Sequence, residues 1–462
     1  MIDYIRRHFQ VLRPEIVTLF RELWGDPEIA GLEIRSSARL ADWLKNRGFS
    51  VTRRAGGIPT AFVARRNSGK GPRLAILAEY DALPGLANDA IPERRGRGGP
   101  GHACGHNHIG PANCAAAIIA AETMVELGLA GGIAVVGCPA EEILWGKIAL
   151  LKQGVFDGFD AILTSHGDYQ TGALSRPCMS AANGEYVYLG EAGHGGSAGI
   201  RNALSGAEAA QAAIAGLMAA QFPGCSIKHV LRRAGIMPSI TPDEARLWCT
   251  IRHVDMAQVS RAYDAITGIA REIAIKLGLG FRHQHISQSR GYLPNDTLAQ
   301  VLQDAIGAVP AERPQARAVK FMQSLAAACG DTGPLQIDLE PRLHTEGHDY
   351  YGQDDGEVSW RIPLARMNWA FPESVPIHHW AWTALSGHPA GDGGPLLAAQ
   401  AIALAAVRLL AAPTHVAEAR AELERRTAGV PLEAPWVGAW DTMLRSPESF
   451  WDASWSEVTP RP

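Results

Sequence analysis

Between residues 73 and 166 short apolar runs alternate with longer segments that read as helices, and this alternation limits the fold more than any other feature. "RLAILAEYDALPG", "GGIAVVGCPAEE" and "DAILTSH" are mostly apolar and end in polar residues. "GPANCAAAIIAAETMVELGL" and "GKIALLKQGVF" lie between them. Apolar strands joined through helices imply a parallel sheet covered on both faces. On such sheets ligand chemistry collects at the carboxyl ends of the strands. Asp81, Glu141, Glu142 and His166 all fall at or just after such ends.

The flanking texture sets the domain plan. The first fifty residues read as two helices, "PEIVTLFRELW" and "SSARLADWLKNRGF", the second opening on a Ser N-cap and closing before Gly48. "PERRGRGGPG" is too rich in Gly and Arg to pack and reads as loop. From residue 183 the pattern changes: "GEYVYLGEAGH", "NALSGAEAAQAAIAGLMAAQ", "IKHVLRRAGIM", "DEARLWCTIRHV", "MAQVSRAYDAITGIAREIAIKLG" and "GFRHQHISQS" follow one another. They spell β-α-β-β-α-β, a compact α+β unit. The expected organisation is one domain, 1–182 and 295–462, split around an insertion at 183–294.

The 462 residues are 47% hydrophobic and 19% charged, with a net charge of −4, which argues against a nucleic-acid-coating surface and gives no reason to expect anionic membranes. The opening "MIDYIRRHFQVLRPEIVTLF" reads as an amphipathic helix and not as a signal peptide. No uninterrupted apolar run is expected to cross a bilayer. Seven cysteines, an odd number without framework spacing, suit a reduced, cytoplasmic protein.

"GHACGHNHIG" (101–110) places Cys104 and His106 two residues apart on a Gly-rich turn that leads into a helix. Alternation points both side chains one way, and Gly105 lets the backbone bend. Alone, Cys-x-His equally describes a buried thiol beside a satisfied histidine. "CPAEE" adds Glu141 and Glu142, a pair that a helix N-terminus also favours. "ILTSH" adds His166, which also suits a strand cap. Three such features at the ends of one sheet point to a metal centre.

Taken together, "AEYDALPG", "GHACGHNHIG", "CPAEE", "GKIALLKQGVFDGFDAILTSH" and "GEVSWRIP" resemble the metal-dependent amidohydrolases related to aminoacylase and carboxypeptidase. The subgroup is that of aminobenzoyl-glutamate hydrolase and the indole-acetyl-amino-acid hydrolases. The resemblance spans nearly the whole chain. It implies an α/β, mostly parallel-sheet, di-zinc-peptidase-like catalytic domain and an inserted α+β lid and dimerisation domain. It also implies metal ligands at Cys104, His106, Glu142 and His166, with Glu141 as the general base that activates water. Asp81 would orient a ligand, although a turn residue fits that position equally. His194 of "LGEAGHGGSAG" would polarise the scissile carbonyl across a dimer interface, against the alternative of a surface histidine in a Gly-rich turn. His108 lies outside the ligand pattern.

Several positions depart from that family. Its last ligand is a histidine shortly before the final apolar helix, and here "SGHPAGDGGPLLAAQ" puts Asp392 at that place. Asp392 equally suits a helix N-cap, and His388 would serve only if the loop shifts. Cys138 stands where the family has Gln, and Ser239 of "MPSITPDEA" stands where it has a substrate-holding Asn. Trp360, Trp369, Trp380 and Trp382, with His378 and His379, lie near the substrate side and fit either a flat aromatic substrate or a core. Ser239, Trp360, His379 and His388 are the expected substrate contacts.

The expected activity is hydrolysis of a C–N bond in a small aromatic carboxylate, an aryl amide of the aminobenzoyl-glutamate type, with one or two Mn²⁺ or Zn²⁺ ions. Deamination of an aromatic amine such as 5-nitroanthranilate is the alternative within the fold. A non-catalytic binding relative and a hydrolase using Cys104 as nucleophile are the alternatives outside that chemistry. The expected partners are a small aromatic substrate and a second copy of the chain, with neither nucleic acid nor membrane.

Overall fold

The computed structural model describes residues 1–96, 98–310 and 312–451. Its larger sheet is built from Ser50–Arg53 (β1), Phe62–Ser68 (β2), Arg73–Glu79 (β3), Gly131–Cys138 (β4), Ala161–Asp168 (β5) and Gly172–Ala173 (β6). The smaller elements follow: Ser180–Leu189 (β7), Gly193–His194 (β8), Ser226–Arg233 (β9), Ile240–Thr241 (β10), Glu244–His253 (β11) and Gly280–Ser289 (β12). Leu364–Ala370 (β13) then returns to the first sheet, whose order is β1-β2-β4-β3-β5-β13-β6.

The four central strands β4, β3, β5 and β13 run parallel, whereas β1, β2 and β6 join antiparallel at the edges. The α/β class expected from the alternation is the one observed, with antiparallel edges added. Residues of β3 divide by parity, as side chains of a strand must. Leu74, Ile76 and Ala78 pack into one core, and Ala75 and Leu77 into the other. The first core holds the helices His106–Glu126 and Gly393–Ala411, both buried almost all round. The second is closed by the helix Gly146–Lys152 and by the C-terminal residues Val437, Met443, Phe450 and Trp451.

A separate four-stranded antiparallel sheet, β12-β7-β11-β9, carries the helices Ala203–Gln221 and Met256–Lys276 on one face. Asn202 and Asp255 cap these helices by accepting the backbone N–H of Leu204 (3.0 Å) and Ala257 (2.9 Å). Their side chains and β11 share a third core that includes Tyr186, Tyr188, Leu247 and Ile251.

By length and hydropathy alone two segments, Ala203–Gln221 and Pro389–Ala411, match a membrane span, contrary to the sequence expectation; the second is 83% buried inside the protein. All seven cysteines are unpaired.

Candidate metal centre

Three strand ends and one glycine turn bring the acidic and sulfur-bearing side chains together. β3 ends at Glu79, paired across the sheet with Cys138 at the end of β4, and His166 lies near the end of β5. Gly105 takes φ +80°, a left-handed conformation that suits glycine, and so turns the chain between Cys104 and His106. The helix that starts at His106 passes so close beneath β3 that a Cβ on Gly110 would stand 2.6 Å from the Glu79 carbonyl oxygen. Ala140 also has positive φ, at 56°, and its N–H is held at 2.8 Å by the Glu33 carboxylate. Strain at a non-glycine residue persists only where neighbours hold it. Here it aims Glu141 and Glu142 into the site.

The hydrogen bonds commit Nδ1 of each key imidazole and turn Nε2 towards the site. His106 Nδ1 donates to Asp81 Oδ1 at 2.9 Å, and Asp81 Oδ2 accepts the Glu142 N–H at 3.0 Å. His166 Nδ1 donates to the Gly167 carbonyl at 2.7 Å, which leaves Nε2 3.4 Å from Cys104 Sγ. A ring whose Nδ1 is committed in this way presents Nε2 as a ligand. His106 Nε2 stands 3.5 Å from Glu79, 3.7 Å from Glu141 and 3.9 Å from Glu142. His106 Nε2, Glu79 Oε2 and Glu142 Oε1 are buried with no hydrogen-bond partner among the described residues.

Buried donors without partners carry a desolvation cost that a cation would remove. The donor atoms of Cys104, His106 and His166 lie within 4.8 Å of one another, as do those of Cys104, Glu142 and His378. Thiolate, imidazole and carboxylate in this number fit a divalent transition metal.

The electrostatics agree with that fit. Burial pushes Glu142 up to about 8, against the opposing pull of His106, and drives the Cys104 thiol well up. Burial lowers His166 to about 4, so its imidazole is neutral at ordinary pH. Glu141 is raised by burial and then by the charge of Glu79. Glu79 itself is held down at about 2: burial would raise it, but the Lys147 ammonium overcomes that. Lys147 Nζ lies 2.7 Å from Glu79 Oε1 and 2.5 Å from Asp354 Oδ1, fully buried.

Asp392, expected as a ligand, lies outside the convergent groups. Both of its oxygens accept from Arg21 Nη2, at 2.8 and 2.6 Å, and one lies 3.5 Å from His108 Nε2. It stands apart from the donor groups above and lines a different cavity with His388. His388 stacks on Phe321 with ring centroids 3.6 Å apart, and its Nδ1 accepts the Ala390 N–H. His108, beside Asp392, is a packing residue against Phe20.

The other expected substrate contacts lie outside the walls of the metal-side cavity. Trp360 donates its indole N–H to the Gly291 carbonyl beneath Arg290. His379 caps the helix Trp380–Gly387. Trp369 and Trp382 are fully buried core residues. Ser239 is exposed beside the β8–β10 pair, and the exposed His194 lies on β8.

His378, read from the sequence only as lying near the substrate side, takes one of those places. His378 Nε2 lies 3.4 Å from Glu142 Oε2. Its backbone sits at φ 57°, with its N–H on the Ala103 carbonyl. Half of its surface opens on the cavity, yet burial among protein atoms lowers it to about 4. The "HH" of "VPIHHW" is the only sequence signal for it.

The cavity encloses about 430 Å³ between the catalytic strand ends and the second sheet. That sheet contributes Trp248, Thr250 and Arg252, alternate residues of β11. Among the described residues Arg252 has no ion-pair partner, and its Nε is buried without a hydrogen bond.

No protein-family model matches the chain. One of the p-aminobenzoyl-glutamate hydrolase subunits of Escherichia coli K12 is 28% identical over 454 residues, spanning 90% of this chain and 93% of that protein. The Xaa-Arg dipeptidase of Mus musculus is 25% identical over 430 residues, 88% of each chain. Among solved structures, the aminobenzoyl-glutamate utilization protein of Klebsiella pneumoniae superposes with a TM-score of 0.58 at 15% identity, covering 87% of this chain and 98% of that one. A dinuclear metal-binding peptidase of the M20 family from Bacillus subtilis gives 0.56 at 20% identity, over 87% and 99%. These structural likenesses speak for the fold, and the sequence similarity runs through almost the full length of both partners. The resemblance carried by the motifs is therefore shared by the whole chain, which is similar over nearly its full length to a p-aminobenzoyl-glutamate hydrolase subunit and has the fold of an M20-family metal-binding peptidase.

Proposed function

We propose that the protein hydrolyses the amide bond of a small aromatic acyl-amino acid of the aminobenzoyl-glutamate type. The observation that carries this reading is the convergence of ligand atoms at Cys104, His106, Glu142 and His166 beside Glu141, with His106 Nε2 and Glu142 Oε1 buried without a partner among the described residues, next to a cavity that holds Arg252. His378 would supply the last donor in place of Asp392. A thiolate with imidazoles suits Zn²⁺, and the carboxylate keeps Mn²⁺ competent. The ion would supply Lewis acidity, polarising a carbonyl and making water acidic at neutral pH.

This chain's own residues then handle the proton and the orientation. Glu141, raised by burial and by Glu79, takes a proton from the attacking water and returns it to the leaving amine nitrogen. The water oxygen joins the carbonyl carbon as the C–N bond breaks, giving a carboxylate and an amine. Asp81 holds His106 in one tautomer and one orientation. Arg252 receives a substrate carboxylate, because a half-buried guanidinium without an ion-pair partner among the described residues favours one. Ser239 and the exposed His194 are assigned to a second copy's cavity, with pairing through the inserted unit at 183–294.

The test incubates metal-loaded protein with p-aminobenzoyl-glutamate and identifies the nitrogen product. Free glutamate supports the amidase reading. Ammonia released instead from a substituted anthranilate favours the deaminase, and no turnover of either substrate rejects both.

A further inference from the structure

Strand β11 shows two faces. Leu247, Cys249 and Ile251 are buried against the helices of the second sheet, while Trp248, Thr250 and Arg252 turn towards the substrate cavity. Thr250 bonds to Asn183. Trp248 is braced from a distant part of the chain. Its ring meets Phe450 edge-on at 5.6 Å and Trp451 at 6.2 Å. Arg232 of β9 lies over all three rings, 5.1, 5.1 and 5.7 Å from their centroids, and donates to the Phe450 carbonyl.

The segment carrying Phe450 and Trp451 is itself anchored on both sheets. Gly438 N–H donates to the Ile286 carbonyl of β12 at 3.0 Å. Trp145, just beyond the Glu141–Ile143 turn, donates its indole N–H to the Gly438 carbonyl at 2.8 Å and packs on Trp440. Trp451 donates to the Ala30 carbonyl at 2.7 Å, which fixes the far end on the catalytic side. Ordering these aromatic side chains costs conformational entropy, which their contacts offset. The indole N–H of Trp248 is buried without a partner among the described residues, a free donor in a cavity wall.

We propose that residues 436–451 are a specificity element of the hydrolase site. Phe450 and Trp451 hold Trp248 as a rigid aromatic wall that selects flat aryl acyl groups over aliphatic ones. Phe450 and Trp451 are positioning residues, and Trp248 touches the substrate. This rests on the amidase reading above, and the test separates the two.

The full-length, metal-loaded protein is compared with a Phe450→Ala/Trp451→Ala double variant, Trp248→Ala and the conservative Trp451→Phe. Metal content is checked for each. The readout is kcat/KM for p-aminobenzoyl-glutamate relative to acetyl-glutamate. The double variant is expected to lower that ratio about tenfold, through KM for the aryl substrate, as loss of an aromatic contact implies. Trp248→Ala lowers it as much, the triple combination adds little, and Trp451→Phe keeps the ratio. A ratio that stays constant while both substrates slow together marks a merely structural tail and overturns the proposal. If neither substrate turns over, binding of 4-aminobenzoate against acetate is titrated instead. Aryl affinity that falls in both the double variant and Trp248→Ala keeps the wall and rejects the amidase reading; affinity indifferent to them rejects the wall.

Discussion

Two clusters of histidine and carboxylate sit under the same sheet, and they differ in how their ligand atoms converge. At the strand ends, Cys104, His106, Glu142 and His166 converge, His106 Nε2 and Glu142 Oε1 without a partner among the described residues and the two imidazoles oriented by Asp81 and by the Gly167 carbonyl. Beside the helix Gly393–Ala411, His108 and Asp392 meet Arg21, and both carboxylate oxygens are already taken by the guanidinium. Residue types alone do not separate these clusters. Convergence does: at the strand ends three ligand atoms at a time lie within 4.8 Å of one another.

The largest effect expected follows from removing a donor of the first cluster. Cys104→Ser and His106→Ala should abolish bound metal by elemental analysis and bring turnover to background; retained stoichiometric metal in both would erase the contrast. Glu141→Gln should keep the metal and lower kcat by about 10²–10⁴. Asp81→Ala should weaken metal affinity about 10–100-fold by freeing the His106 ring, measured by competition with a chelating dye. Asp392→Asn tests the second cluster. Its metal content should match the wild type, while urea unfolding loses about 1–3 kcal/mol from the partly buried Arg21. A metal loss there would restore Asp392 as a ligand.

The smallest effect concerns the tail and the second sheet. His285 stacks on Trp436 at 3.4 Å, and burial, aided by the neighbouring His283, lowers it to about 3. The folded state therefore binds fewer protons there than the unfolded chain, whose histidine titrates at about 6.5. This contribution to stability is complete above pH 6.5 and is lost as the pH falls from 6.5 towards about 3. His285→Gln should make the decline in melting temperature over that window shallower, and an unchanged slope would refute the assignment.

The alternation between 73 and 166 is enough to infer the sheet and the strand-end position of Glu141, Glu142 and His166, because period and polarity are local properties. The edge strands, antiparallel in the structure, are not legible, since pairing direction depends on what lies beside a strand. His378 is legible only as a residue near the substrate side, because its reach to Glu142 depends on its own left-handed backbone and on the contact of its N–H with the Ala103 carbonyl. Glu79 and Lys147 escape because their pairing crosses 68 positions of chain and is completed by Asp354. Trp360 and His379 lie close in sequence to a substrate side, and packing turns them to Gly291 and to a helix cap.

What the amino-acid order determined by itself was the set of elements and the chemistry available at their ends. Short-range geometry decides those: apolar periodicity, a glycine between Cys104 and His106, and adjacent carboxylates after a strand. Only tertiary structure decided which donors remain unpaired, which carboxylate an arginine neutralises, and that residues 436–451 come to rest against the cavity wall. These depend on long-range contacts between segments hundreds of residues apart, where satisfaction of charge and hydrogen bonding is settled by whichever neighbour the fold supplies.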